Sequence, residues 1–174
     1  DGKTDISVFR PSNGTWYSLL SSTGSPQFTT FGTNGDVPLV GDFDGDGKDD
    51  QAIYRTGTWY LNQSNAGVLI IPFGISSDQP VQADYDGDGK DDIAVFREST
   101  GRWYVISSSD GSTAITQFGA ASDVPVPGDY DGDGKDDIAI YRGGAWWVNG
   151  STSGVNVTSF GIAGDAAIPA YYLP

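Results

Sequence analysis

Short apolar runs of four to six residues recur along the chain, divided by turns rich in Gly, Asn, Ser and Asp. The run 93–96, Ile-Ala-Val-Phe, is apolar at every position, which predicts a strand covered on both faces. Residues 102–107 are aromatic and β-branched, a composition that suits a strand. Residues 113–118 alternate in part. Residues 123–130 carry prolines, so they predict an edge or irregular strand. Turn signals at 12–14 and 109–111 separate such runs, and helical periodicity is absent.

The same order of runs repeats along the chain. Phe-Gly pairs stand at Phe31-Gly32, Phe73-Gly74, Phe118-Gly119 and Phe160-Gly161. Aromatic pairs stand at Trp16-Tyr17, Trp59-Tyr60, Trp103-Tyr104 and Trp146-Trp147. Asp36, Asp78, Asp123 and Asp165 occupy one repeat position, and Arg10, Arg55, Arg97 and Arg142 another. The units alternate between 42 and 45 residues, as a doubled two-unit block would. Four strands every 40-odd residues, with both sheet faces covered, predict an all-β fold: a β-propeller of four four-stranded blades. One domain spans 1–174, with repeats at about 1–38, 39–80, 81–125 and 126–170 and a closing strand at 165–174. That strand is expected to pair with the N-terminal strands and complete the last blade. The chain starts in mid-repeat and on Asp rather than Met, as expected of a processed or trimmed form.

Charge changes the picture. The net charge is −14, and 15 of the 23 acidic residues crowd into three nine-residue loops, 42–50, 84–92 and 129–137. Such a surface argues against nucleic acid and anionic membranes as partners. No apolar run is long enough to predict membrane insertion. Cys, His and Met are absent, which excludes a disulfide scaffold, a thiol nucleophile, zinc-thiolate chemistry and a histidine base.

In the first loop, carboxylates stand at positions one, three, five and nine: Asp42, Asp44, Asp46 and Asp50. Gly47 at position six permits a sharp turn, and Lys48 at position seven offers a backbone carbonyl. Asp84, Asp86, Asp88, Lys90 and Asp92 repeat the set, as do Asp129, Asp131, Asp133, Lys135 and Asp137. Oxygen donors at odd positions around a tight turn suit calcium, which takes six to eight oxygens, better than magnesium. Three divalent ions would bring the net charge from −14 to −8. The opening resembles an EF-hand, but position twelve is Ile53, Val95 or Ile140 rather than Glu, so position nine must close the shell. A split fourth loop keeps Asp1 and Asp5 but aligns Tyr171 and Leu173 with the missing carboxylates, and is expected to hold no ion.

Loops of this form, followed by an apolar strand and spaced between Phe-Gly marks, resemble FG-GAP (VCBS-type) repeats. Such repeats build the propellers of integrin α chains and of many bacterial secreted proteins. The resemblance implies calcium at the three full loops, with carbonyls from Lys48, Lys90 and Lys135. Four repeats here contrast with the seven blades usual in that family. The ring is therefore expected to close within one chain, to form part of a larger ring, or to pair with other chains.

The function expected is an extracellular, calcium-stabilised, non-enzymatic surface or adhesion module that binds a protein or glycan, or copies of itself through its terminal strands. The alternative is a glycan-active hydrolase or lyase, or its accessory propeller. Charged residues off the repeat pattern are few (Glu98, Arg102, Asp110), which disfavours an active site. Trp147, Trp16 and Trp103 are candidates for stacking on a sugar, against the commoner role of repeated aromatics as blade core. Sequons begin at Asn13, Asn62, Asn149 and Asn156. The absence of Cys points to a prokaryotic surface or secreted protein.

Overall fold

The computed structural model describes residues 3–168. Fifteen β-strands and no helix run through them: β1 Ile6–Arg10, β2 Thr15–Leu19, β3 Pro26–Thr30, β4 Val37–Gly41, β5 Asp50–Arg55, β6 Thr58–Gln63, β7 Gly67–Pro72, β8 Gln79–Pro80, β9 Ile93–Arg97, β10 Arg102–Ile106, β11 Thr113–Gln117, β12 Val124–Pro125, β13 Ile138–Arg142, β14 Ala145–Gly150 and β15 Gly154–Ser159. They form antiparallel sheets in the order β1-β2-β3, β4-β5-β6-β7, β8-β9-β10-β11 and β12-β13-β14-β15. These are the four blades of a β-propeller, with all neighbours joined by hairpins or short loops.

The prolines act where the sequence placed them. β8 and β12 each end on a proline after two residues, whereas β4 carries Pro38 at the same position and runs on to Gly41. Single bridges, Ala83 to Asp92 and Gly128 to Asp137, resume the pairing just before each acidic loop closes. In every four-stranded blade this innermost strand is an edge, so the missing donors cost no pairing on its other side.

Alternation along β9 explains why 93–96 is apolar throughout. Ala94 and Phe96 face Trp103 and Val105 of their own blade, and Ile140 from the next blade joins that cluster. Ile93 and Val95 turn the other way and join Ala52, Tyr54, Trp59 and Leu61 of the preceding blade. One strand thus supplies two cores. Trp59 and Trp103 are fully buried. At about 25 cal/mol per Å², burying a Trp of ~200 Å² is worth roughly 5 kcal/mol before its entropy cost.

The Phe-Gly marks fix the exits of the blades. Gly74 has φ +113°, a region that L side chains avoid, and a Cβ there would lie 2.4 Å from the Tyr54 hydroxyl. That hydroxyl donates to the Ile75 carbonyl at 2.7 Å, so Tyr54 needs the space a side chain would take.

The first blade has three strands among the described residues, and no described strand pairs with the second edge of β1. Residues 166–168 form no strand. The rest of the expected closing strand, with Tyr171 and Leu173, lies outside the described residues, as does Asp1 of the split loop.

Candidate metal centres

Each acidic loop links an innermost strand to the next strand of the same blade. Position nine is built into the structure most firmly. Asp50 opens β5, is buried, and accepts hydrogen bonds from the amides of Phe43 at 3.0 Å and Ser64 at 2.6 Å. Asp92 accepts from Tyr85 and Ser108, and Asp137 from Tyr130 and Ser151, in the same way. One carboxylate therefore ties the loop to the hairpin turn two strands later. Asp5 of the split loop repeats the second bond, accepting from Ser21 at 2.7 Å.

Position one shapes the turn. Asp42 accepts from the amides of Gly45, Asp46 and Gly47. Gly47 has φ +80° with open space around it, so glycine is required there by backbone conformation rather than by crowding. Position three reaches the hairpin turn. Asp44 Oδ2 accepts from Asn65 and Ala66, and Asp131 Oδ2 from Thr152 and Ser153.

These constraints bring carboxylates together. Among the described residues, Asp42, Asp44 and Asp50 place one oxygen each within 4.8 Å of one another, as do Asp84, Asp86 and Asp92, and Asp129, Asp131 and Asp137. Burial pushes Asp50, Asp92 and Asp137 above the ordinary carboxylate range, and the neighbouring carboxylates add to the effect. Asp44 Oδ1 and Asp131 Oδ1 are buried and accept no hydrogen bond. A buried carboxylate oxygen with no donor is costly. A divalent cation at the centre of each triad would meet that oxygen and neutralise its neighbours, so the donor set fits a hard cation with oxygen ligands.

Position five is arranged differently. Asp46 accepts from the Ser64 hydroxyl at 2.7 Å, Asp88 from Ser108 at 2.9 Å and Asp133 from Ser151 at 2.5 Å. Its other contact is with position seven: Lys48, Lys90 and Lys135 donate their amides back to Asp46, Asp88 and Asp133. The triads therefore consist of positions one, three and nine, with position five held at the rim.

Two features escaped the sequence reading. The first is the serine set Ser64, Ser108 and Ser151, which anchors positions five and nine; its recurrence just past the aromatic strand was the available signal. The second is position eight. Asp91 Oδ2 accepts from the Asp42 amide at 2.9 Å, and Asp136 Oδ2 from the Asp84 amide at 3.0 Å. The Lys90 side chain also lies along Gly45, where a Cβ would meet it at 2.8 Å. Consecutive loops are therefore in contact. Burial, with Asp136, Asp49 and Asp84 nearby, pushes Asp91 up to about 7 against the pull of the Asp42 amide.

The Trp candidates separate. Trp103 is fully buried and donates to the Phe118 carbonyl at 2.7 Å, and Trp16 is buried and donates to Phe31 at 2.8 Å. Neither ring is open to a ligand; both are blade core. Trp147 is half-buried beneath the Arg142 guanidinium, 5.2 Å from its ring centre. Tyr17, Tyr60 and Tyr104 hold the corresponding arginines in the other blades.

Residues 84–140 match the family model described as FG-GAP-like repeat. The match takes in two of the acidic loops and the blade strands between them, so this stretch is an FG-GAP-like repeat. A search of curated proteins returned no match.

Proposed function

We propose that this FG-GAP-like repeat protein is an extracellular, non-enzymatic module whose propeller blades are stabilised by calcium and present a surface to a protein or glycan partner, or to further copies of the chain. The observation that carries the reading is the triad repeated in three blades, with a buried position-nine carboxylate in each and an unpartnered buried oxygen in two. No fold needs such a cluster for its turns alone, since like charges within 4.8 Å repel. A resident cation would turn each cluster from a cost into a cross-link between loop, strand and hairpin.

The non-enzymatic part rests on the charged residues outside the repeat pattern. Glu98 accepts from the Ser122 amide, Arg102 donates to Gln117, and Asp110 accepts from the Ser112 amide. Arg102 and Asp110 are engaged in their own hairpin and Glu98 with the turn that follows β11, and the three do not assemble into a nucleophile and base. Millimolar calcium, the concentration that would fill sites of moderate affinity, is extracellular, which supports the location.

The test is thermal melting in calcium and in excess chelator. Sites with a dissociation constant of ~10 μM would each add about 2.7 kcal/mol at ~1 mM calcium. A melting temperature that is the same in both conditions would overturn the calcium reading. A glycan array with the wild-type chain and Trp147→Ala tests the sugar arm: binding lost with that variant favours a glycan, and no binding favours a protein partner or self-assembly.

A further inference from the structure

The three internal blade junctions share one construction. The turn leaving a blade carries an Asp whose carboxylate is buried, and it grips the Arg of the next blade with two bonds. Asp36 holds Arg55 at 2.6 and 2.8 Å, Asp78 holds Arg97 at 2.8 Å twice, and Asp123 holds Arg142 at 2.6 and 2.5 Å. The residues just after that Asp become the innermost strand of the next blade, β4, β8 or β12. That blade's second strand then sends its apolar residues into the preceding core, as Ile93 and Val95 do.

The two ends of the row each carry one half of this junction. In the first blade, Arg10 occupies the place of Arg55 and meets Tyr17, through its hydroxyl and its ring. It has no acidic partner among the described residues. Ile6 and Val8 are 71% and 58% exposed, whereas their counterparts Ile93 and Val95 are 7% and 0% exposed. The second edge of β1 pairs with no described strand.

The last blade carries the other half. Asp165 caps its own turn by accepting from the Ile162 amide, as Asp36 does with Thr33, but it is exposed and holds no arginine. In the same blade, Tyr130, Trp146, Val148 and Ile168 line an open cleft of about 370 Å³. In the middle blades this position is filled by apolar residues of the following blade, Ile93 and Val95 in one and Ile138 and Ile140 in the other.

We infer that the last blade of one molecule receives the first blade of a second copy: Asp165 grips Arg10 of that copy, and its Ile6 and Val8 enter the cleft beside Trp146. Residues 166–168 then add along the free edge of β1 as an innermost strand, a β-augmentation. By the register of β12, in which Val124 and Pro125 face Tyr141 and Ile140, Ala166 falls opposite Phe9 and Ala167 opposite Val8 of the second copy. The complementarity is of charge, of shape and of strand pairing, and each has a template inside the molecule. Both halves face solvent in the same molecule, so the contact is head-to-tail and generates a larger ring or a filament. The inference rests on the reading of the chain as an assembling module and selects its partner.

The experiment is light scattering behind size exclusion, in calcium, on the wild-type chain, Arg10→Asp and Asp165→Arg. The wild type is expected at a multiple of 18.3 kDa. Each charge reversal alone is expected at 18.3 kDa, with the dissociation constant raised at least about thirtyfold. Mixing the two variants restores the larger mass, because each supplies the charge the other reversed. Circular dichroism of each variant, and the milder Arg10→Gln, guard against loss of fold. A wild-type chain at 18.3 kDa overturns the inference in favour of closure by the molecule's own first blade, and so does a mixture that stays at that mass. Neither result touches the calcium reading, which the melting shift tests on the same samples.

Discussion

The carboxylate of Asp91 accepts a hydrogen bond from the amide of Asp42 at 2.9 Å, and the amide of Asp91 donates to the Asp42 carbonyl at 2.8 Å. Asp42 is position one of a triad in one blade, and Asp91 adjoins position nine of the triad in the next. Asp136 and Asp84 repeat the exchange one blade on. The backbone that shapes one site is thus held by the loop of its neighbour, and the sites form a connected row along the blades.

Asp91→Ala should therefore weaken calcium binding at a site to which it contributes no triad oxygen, the loop 42–50. Losing the partner of a part-buried amide costs about 1–3 kcal/mol. Calorimetric titration should show one site weakened roughly tenfold or more. Asp49→Ala is the control: Asp49 occupies the same repeat position but is exposed, and it should change little.

Asp92→Ala removes a position-nine carboxylate. The number of ions bound should fall from three to two, and the calcium-induced rise in melting temperature should shrink by about a third. The metal-free protein should also lose about 1–3 kcal/mol for each of the Tyr85 and Ser108 amides left without an acceptor. Chemical denaturation in chelator measures that second loss on its own.

The junction pairs predict an acid sensitivity. The Arg55 guanidinium, ahead of the Thr33 amide, lowers the Asp36 carboxyl below its usual range. A depressed folded-state value means the pair's stability is present above the unfolded value of about 3.9 and is lost as pH falls through the lower folded value. Wild type should melt well above Asp36→Asn at pH 6. The gap should narrow progressively below about pH 4, as melting curves across that range would show.

Gly74→Ala places a methyl group 2.4 Å from the Tyr54 hydroxyl, at a backbone angle alanine avoids. The cost should be about 2–4 kcal/mol, combining overpacking with strain. Tyr54→Phe in the same chain should recover part of it by vacating the crowded spot. Urea denaturation of the single and double variants measures the coupling.

The acidic loops were legible in the sequence because a nine-residue turn is a local object, and its repetition removed chance as an explanation. The rest depended on partners far away in the chain. That position five turns to Ser64, Ser108 and Ser151 follows from the hairpin two strands on, which closes over the loop. That Trp103 is core follows from Ile140 of the next blade packing on it, a contact that composition does not announce. The arginine and aspartate of each junction both recur in the sequence, but nothing local says that they meet.

The sequence alone determined the strand order, the turn positions and the carboxylates at positions one, three, five and nine of each acidic loop, since all of these are local; it did not separate positions one, three and nine, which converge, from position five, which the hairpin serine draws away. Tertiary structure decided how blades address one another: which carboxylate bridges to the neighbouring loop, which arginine finds which aspartate, and which apolar residues remain without a cover at Ile6, Val8 and Trp146. Those outcomes turn on sheet stacking, where residues some twenty to fifty positions apart come into contact and burial sets both the strength of each ion pair and the exposure of each end.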